Sequence, residues 1–150
     1  MSHTFDIVET HPVTLAVTEA FLKQPEIPLR IAEMYDIVYA WLPESGMERV
    51  GQNYAVYDRF SPEGMRMRVG FPVSQSFADD AKVQCMELPG GRAAHVTHVG
   101  PYNKIYETTQ RLYDWCVEES LDLAGISWEV YGDWEEDESK LVTDIYFLLK

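Results

Sequence analysis

A chain of 150 residues, 46% hydrophobic and 13% aromatic, is long enough to bury a sizeable core, and one domain over residues 1–150 is expected. Its 12 Lys+Arg against 25 Asp+Glu leave a formal net charge of −13, which speaks against a nucleic-acid-binding surface because affinity for a phosphate backbone comes mainly from basic side chains. The opening MSHTFDIVETH lacks the basic and apolar regions of a secretory signal, and no apolar run approaches ~18 residues, so a cytoplasmic protein with no membrane association is expected.

In chain order, FDIVE and VTLAVTEAF read as strands separated by a turn at His11-Pro12. Pro28 then sits where a first-turn proline belongs, and Ile31, Tyr35, Val38 and Leu42 form one helical stripe ending near Pro43 and Gly46. Strands are predicted over 52–60 and 65–73 around the turn Ser61-Pro62-Glu63-Gly64, followed by the polar linker PVSQSFADD. After the linker the order repeats. AKVQCMEL and RAAHVTHV flank Pro89-Gly90-Gly91, Gly100-Pro101 opens a helix with Ile105, Thr108, Leu112 and Trp115 on one side, and strands over 126–134 and 141–149 flank the acidic turn EEDESK.

The repeat is visible residue by residue. YAVYDRF from Tyr54 and WEVYGDW from Trp128 lie at an offset of 128 − 54 = 74, which Trp41 and Trp115 share. Two copies of β-β-α-β-β, at about 1–75 and 80–150, predict an α+β fold with pseudo-twofold symmetry. Its antiparallel sheet would carry two helices on one side, leaving the opposite face or a cleft along the dyad for a ligand. The charge is uneven between the copies: 6 − 10 = −4 up to residue 75 and 6 − 15 = −9 after it.

Several familiar chemistries are disfavoured by spacing. His95 and His98 are three apart on a strand and point to opposite faces, so no metal site is expected. Cys85 and Cys116 lack an accompanying histidine and carboxylate set and read as small buried residues. Gly90-Gly91-Arg92 lacks the further glycines and strand-to-helix context of a phosphate loop. No cofactor is expected.

His98-Val99-Gly100-Pro101-Tyr102, the helix with Leu112 and Trp115, then Trp128-Glu129-Val130-Tyr131 and Thr143-Asp144-Ile145-Tyr146 together resemble the GyrI-like small-molecule-binding family. That family supplies the effector-binding half of AraC-type and multidrug-sensing transcription regulators. It also occurs alone in a gyrase inhibitor and in hydrolases of cyclopropane-bearing alkylating agents. The resemblance implies an aromatic cleft for flat, often cationic ligands around one glutamate, here Glu129, whose counterpart in the first repeat is Ala55. Tyr102, Tyr131, Tyr57, Tyr106 and Trp134 are the expected ligand-binding wall.

Strand alternation places Trp128, Val130 and Trp134 opposite Glu129, Tyr131 and Asp133, and the bulkier trio is expected beneath the helices. The leading functional expectation is the binding of amphipathic, cationic aromatic molecules for sensing, sequestration or detoxification. One alternative is a hydrolase of cyclopropane-containing compounds using Glu129 as base with Tyr131 beside it. The other is a gyrase-inhibitor-like contact with a protein partner. Direct transcriptional control is not expected, since the chain leaves no length for a helix-turn-helix domain.

Overall fold

A computed structural model of the chain describes residues 3–150. Eight strands, β1 (Asp6–Thr10), β2 (Val13–Leu22), β3 (Tyr54–Ser61), β4 (Gly64–Pro72), β5 (Gln84–Leu88), β6 (Gly91–Val99), β7 (Leu123–Tyr131) and β8 (Val142–Leu149), accompany two helices, α1 (Ile27–Ser45) and α2 (Ile105–Glu118). The strands form one sheet in the order β1-β6-β8-β7-β3-β4-β2-β5, and every pairing is antiparallel. Exchanging β1 with β5, β2 with β6, β3 with β7 and β4 with β8 reverses that order. The expected duplicated α+β architecture is therefore borne out.

The first pair of strands in each copy departs from expectation. β1 does not pair with β2, nor β5 with β6. Asp6 to Thr10 pair with His95 to Gly91, and Val13 to Val17 pair with Leu88 to Gln84. The residue numbers in every pair add to 101, so these are two stretches of one ladder interrupted at His11-Pro12 and Pro89-Gly90. Proline offers no N–H to a ladder, and Pro12 therefore marks a break in a long strand rather than a hairpin turn. Gly90 sits against it: a Cβ there would lie 2.7 Å from the Pro12 nitrogen. Each half thus donates its first strand to the other half's side of the sheet.

The helices follow from their buried positions. Met34 and Val38 of α1, and Ile105, Thr108, Leu112 and Cys116 of α2, face the sheet. Pro43 falls in the last turn of α1, where a missing N–H and a fixed φ do less damage than in the middle, and Gly46 ends the helix at φ 74°. Met34 and Leu112 occupy equivalent buried places at an offset of 112 − 34 = 78, as do Val38 and Cys116. The Trp41/Trp115 match at 74 is therefore one helical turn out of structural register. Both tryptophans nonetheless rest on a phenylalanine that precedes an edge strand, Trp41 on Phe77 and Trp115 on Phe5.

The sheet is curled, and its two faces carry separate cores. On the inner face Val56 and Trp128 from the central strands meet Leu15, Val17, Met86, Leu88 and Ala93 from the outer ones. The other face carries the helices, with Ala94, Val96, Ile145 and Phe147 under α2 and Ala55, Met67, Val69 and Phe71 under α1. The expected assignment of faces is reversed. Trp128 and Val130 pack inside the curl, not beneath the helices, and Trp134 lies beyond β7 with 74% of its surface exposed. The curl explains the reversal, because it creates a second apolar interior large enough for an indole on the face away from the helices.

Candidate functional site

β3 and β7 pair across the pseudo-dyad, and their register sets Ala55 directly opposite Glu129. The two residues related by the repeat are therefore neighbours at the symmetry axis, where one copy supplies a methyl group and the other a carboxylate. Tyr57 and Tyr131, related by the same offset, flank them on the same face. Between α1 and α2, above these strands, lies a broad cleft of about 2030 Å³, larger than the roughly 300–1,000 Å³ common for small-molecule pockets.

Glu129 sits on the cleft floor with 9% of its surface exposed. Tyr131 Oη donates to its Oε1 at 2.7 Å and Tyr57 Oη donates to the same oxygen at 3.2 Å. Among the described residues Oε2 has no hydrogen-bond partner and is not sealed from solvent, so it is the oxygen open to the cleft. No Lys, Arg or His forms an ion pair with it among the described residues. Burial pushes the Glu129 carboxyl above its ordinary value, and the Tyr131 and Tyr57 hydroxyls pull only partly the other way. Both tyrosines, with Tyr35, are driven well above 10, first by burial and then by the nearby carboxylate. Their hydroxyls remain protonated and act as donors.

Aromatic rings build the walls. Tyr102 meets Tyr131 edge-on at 5.6 Å, and Tyr35 does so from the opposite side at 6.5 Å. Tyr35 is fixed by donating its hydroxyl to the Tyr54 carbonyl at 2.7 Å. Tyr106, Tyr113, Phe60 and Trp134 form an exposed aromatic rim. The structure thus gathers all six expected residues, Glu129, Tyr102, Tyr131, Tyr57, Tyr106 and Trp134, around one cleft.

Sequence reasoning missed the α1 wall: Tyr35 was placed in the apolar stripe, and Tyr39 was not singled out. Their i, i+4 spacing does not separate a cleft tyrosine from a core one, and the equivalence of Tyr35 to Tyr113 emerges only at the structural helix offset of 78, not at the offset of 74 read from the sequence.

His95 and His98 lie on opposite faces of the sheet. His98, buried under α2, contacts Thr108 Oγ1 at 2.6 Å and the Pro101 carbonyl at 3.0 Å. His95 on the other face bridges Asp6 at 2.9 Å and Asp144 at 2.8 Å. Cys116 is buried as expected, whereas Cys85 is only half-buried. Among the described residues, no helix is long and apolar enough to cross a membrane.

Comparison with known proteins agrees with this architecture. The C-terminal domain of EcmrR superposes with a TM-score of 0.87 at 16% identity, covering 100% of this chain and 99% of that one. SAV2435, solved bound to tetraphenylphosphonium, matches with a TM-score of 0.73 at 13% identity over 98% of this chain and 94% of its own. A hydrolase encoded by lin2189 from Listeria innocua matches with a TM-score of 0.63 at 11% identity, over 97% and 91%. At such identities these likenesses speak to fold alone. No curated protein matches the sequence. The model of the GyrI-like small molecule binding domain, however, matches residues 61–150, and the chain belongs to that family.

Proposed function

We propose that the cleft binds flat or bulky aromatic cations, for sensing, sequestration or detoxification, with Glu129 as the counter-charge. One observation carries this reading: among the described residues a buried carboxylate has hydroxyl donors on one oxygen only and no basic partner, and its second oxygen is turned to an aromatic cleft. A carboxylate in that position carries an unpaid desolvation cost, and a cation entering the cleft relieves it. The surrounding ring faces add cation–π attraction of ~0.5–2 kcal/mol each with little directional demand. The tetraphenylphosphonium bound by SAV2435 is a ligand of this chemical kind, which supports the reading.

The test is a titration followed by native tryptophan fluorescence, comparing N-methylquinolinium with neutral quinoline on the unmodified protein and on Glu129→Gln. Saturable binding of the cation, weakened about tenfold or more in the variant while quinoline changes little, is the expected result. Equal weakening of both compounds would remove the charge from the explanation.

The short Tyr131 to Glu129 hydrogen bond favours a second reading as a hydrolase, in which Glu129 accepts a proton from water as a strained ring opens and Tyr131 steadies the carboxylate. The hydrolase of Listeria innocua shares the fold. Multiple turnovers of a cyclopropane-bearing aromatic substrate, abolished by Glu129→Gln, would establish it; stoichiometric protection of the compound would leave binding alone.

A further inference from the structure

We propose that Arg49 forms an anion subsite at one end of the cleft, so that the preferred ligand is a zwitterion: an aromatic cation carrying an acidic group on a spacer. This rests on the binding function proposed above and adds a second charge requirement to it.

Arg49 lies in the segment after α1, held to the sheet by a bridge to Val73. Its guanidinium stands 5.1 Å from the Phe71 ring and 5.4 Å from the Tyr39 ring. Nε donates to the Gly51 carbonyl at 2.8 Å and Nη1 donates to Tyr39 Oη at 3.2 Å. Tyr39 can accept that bond because its own proton goes to Asn53 Oδ1 at 2.7 Å. A guanidinium has five N–H donors, so three remain after these two bonds.

Among the described residues no carboxylate lies within ion-pair distance of Arg49, although the chain holds 25 Asp+Glu. Arg30, Arg66 and Arg68 have such partners; Arg59 and Arg92, like Arg49, have none among the described residues, but they do not line the cleft. Asp133, which also lines the cleft, is engaged by Gln52 Nε2 at 2.7 Å. Arg111 lines the cleft as well, but it projects exposed from α2, one turn from Glu107 and Asp114, with no ring beneath it among the described residues.

A row of rings joins this cation to the central carboxylate. Tyr39 lies 6.3 Å from Tyr35, Tyr35 lies 6.5 Å from Tyr131, and Tyr131 donates to Glu129. An extended aromatic molecule laid along that row meets a negative charge at the dyad and a positive charge at the end. Planar, bidentate recognition of a carboxylate is what a fixed guanidinium fork does well.

The test uses N-alkylquinolinium salts whose alkyl chain ends in a carboxylate, its methyl ester or a methyl group, over a series of chain lengths. Calorimetry on the unmodified protein, Arg49→Met and Arg49→Lys reads the ratio of carboxylate to ester affinity. Because both ligands are compared on the same protein, general loosening of the cleft cancels. The expected ratio is about tenfold or more at the best chain length, close to one in Arg49→Met, and partly restored in Arg49→Lys. If the methyl-terminated cation binds but the carboxylate and ester are equal, or if the ratio survives Arg49→Met, the subsite is refuted and the aromatic-cation reading stands. If none of the cations binds, the proposed function fails and the subsite with it.

Discussion

Replacing Glu129 with glutamine is expected to stabilise the unliganded protein at neutral and mildly alkaline pH. An ion withdrawn from water costs several kcal/mol even after relaxation, and Glu129 is 9% exposed with no basic partner among the described residues. Two hydroxyl donors to Oε1 return ~1.5–3 kcal/mol each at best, and the Tyr57 bond at 3.2 Å is the weaker. The upward displacement of the carboxyl shows that the balance is unfavourable to the charge. The folded protein therefore binds this proton more tightly than the unfolded chain does. The contribution of Glu129 to stability is full below the unfolded carboxyl range and declines as pH rises through the folded value.

Glutamine keeps the shape, can accept the tyrosine hydrogen bonds and removes the charge. A gain of about 1–3 kcal/mol is expected at pH 8, worth about 2–4 °C in Tm for each kcal/mol at this size. Thermal unfolding followed by circular dichroism from pH 4 to pH 8 measures it as a difference between variant and unmodified protein, so the titration of the other carboxylates drops out. The difference should shrink towards pH 4. A variant less stable at pH 8, or a pH-independent difference, would refute the reasoning.

Tyr131→Phe removes the shorter hydrogen bond to Oε1, so the pH below which cation binding is lost should rise relative to the unmodified protein; a profile that stays put would separate Tyr131 from the ionisation of Glu129. For His95, the hydrogen bond to Asp144, opposed by burial and helped by Asp6, holds the imidazolium above its ordinary value. Its stabilisation is present below the unfolded histidine value and lost as pH rises through the folded one. His95→Gln should therefore cost about 1 kcal/mol at pH 5.5 and little at pH 9 in urea unfolding, and equal losses at both would show a packing effect instead. Gly70→Ala would place a Cβ 1.7 Å from the Ala16 carbonyl oxygen, so β2 and β4 must separate; unfolding free energy should fall by ~3 kcal/mol or more, and a normal urea midpoint would contradict the close approach of these strands.

Much of this molecule is written in local sequence. Period-2 runs bounded by proline and glycine mark the strands, and the stripes Ile31, Tyr35, Val38, Leu42 and Ile105, Thr108, Leu112, Trp115 mark two helices against one sheet, although the structure buries Met34 and Cys116 rather than Tyr35 and Trp115. Pairing is another matter. His11-Pro12 and Pro89-Gly90-Gly91 carry the composition of hairpin turns, but only the partner strand decides whether such a site reverses the chain or merely bends it. The face assigned to Trp128 failed for a related reason: its bulk indicates burial without indicating which of two interiors receives it. Glu129 was legible only through the family resemblance, which implies one central glutamate; strand alternation by itself placed it merely on the face of β7 opposite Trp128 and Val130. Tyr35 and Tyr39 were not, since a tyrosine that walls a cleft and one that fills a core share the same helical spacing.

The ladder linking residues 6–17 to residues 84–95 also dictates when this protein can fold. The outermost pair, Asp6 with His95, closes a loop of 89 residues, and such closures carry an entropic cost before any contact repays it. During synthesis the first repeat emerges with β2 lacking its neighbour β5, and β1 lacking any partner at all. Completion waits for the second repeat, so translation rather than local propensity sets the earliest moment of assembly. For the same reason a cut in the linker after Pro72 should leave two fragments that are incomplete alone and restore the sheet when mixed, each supplying the other's missing edge.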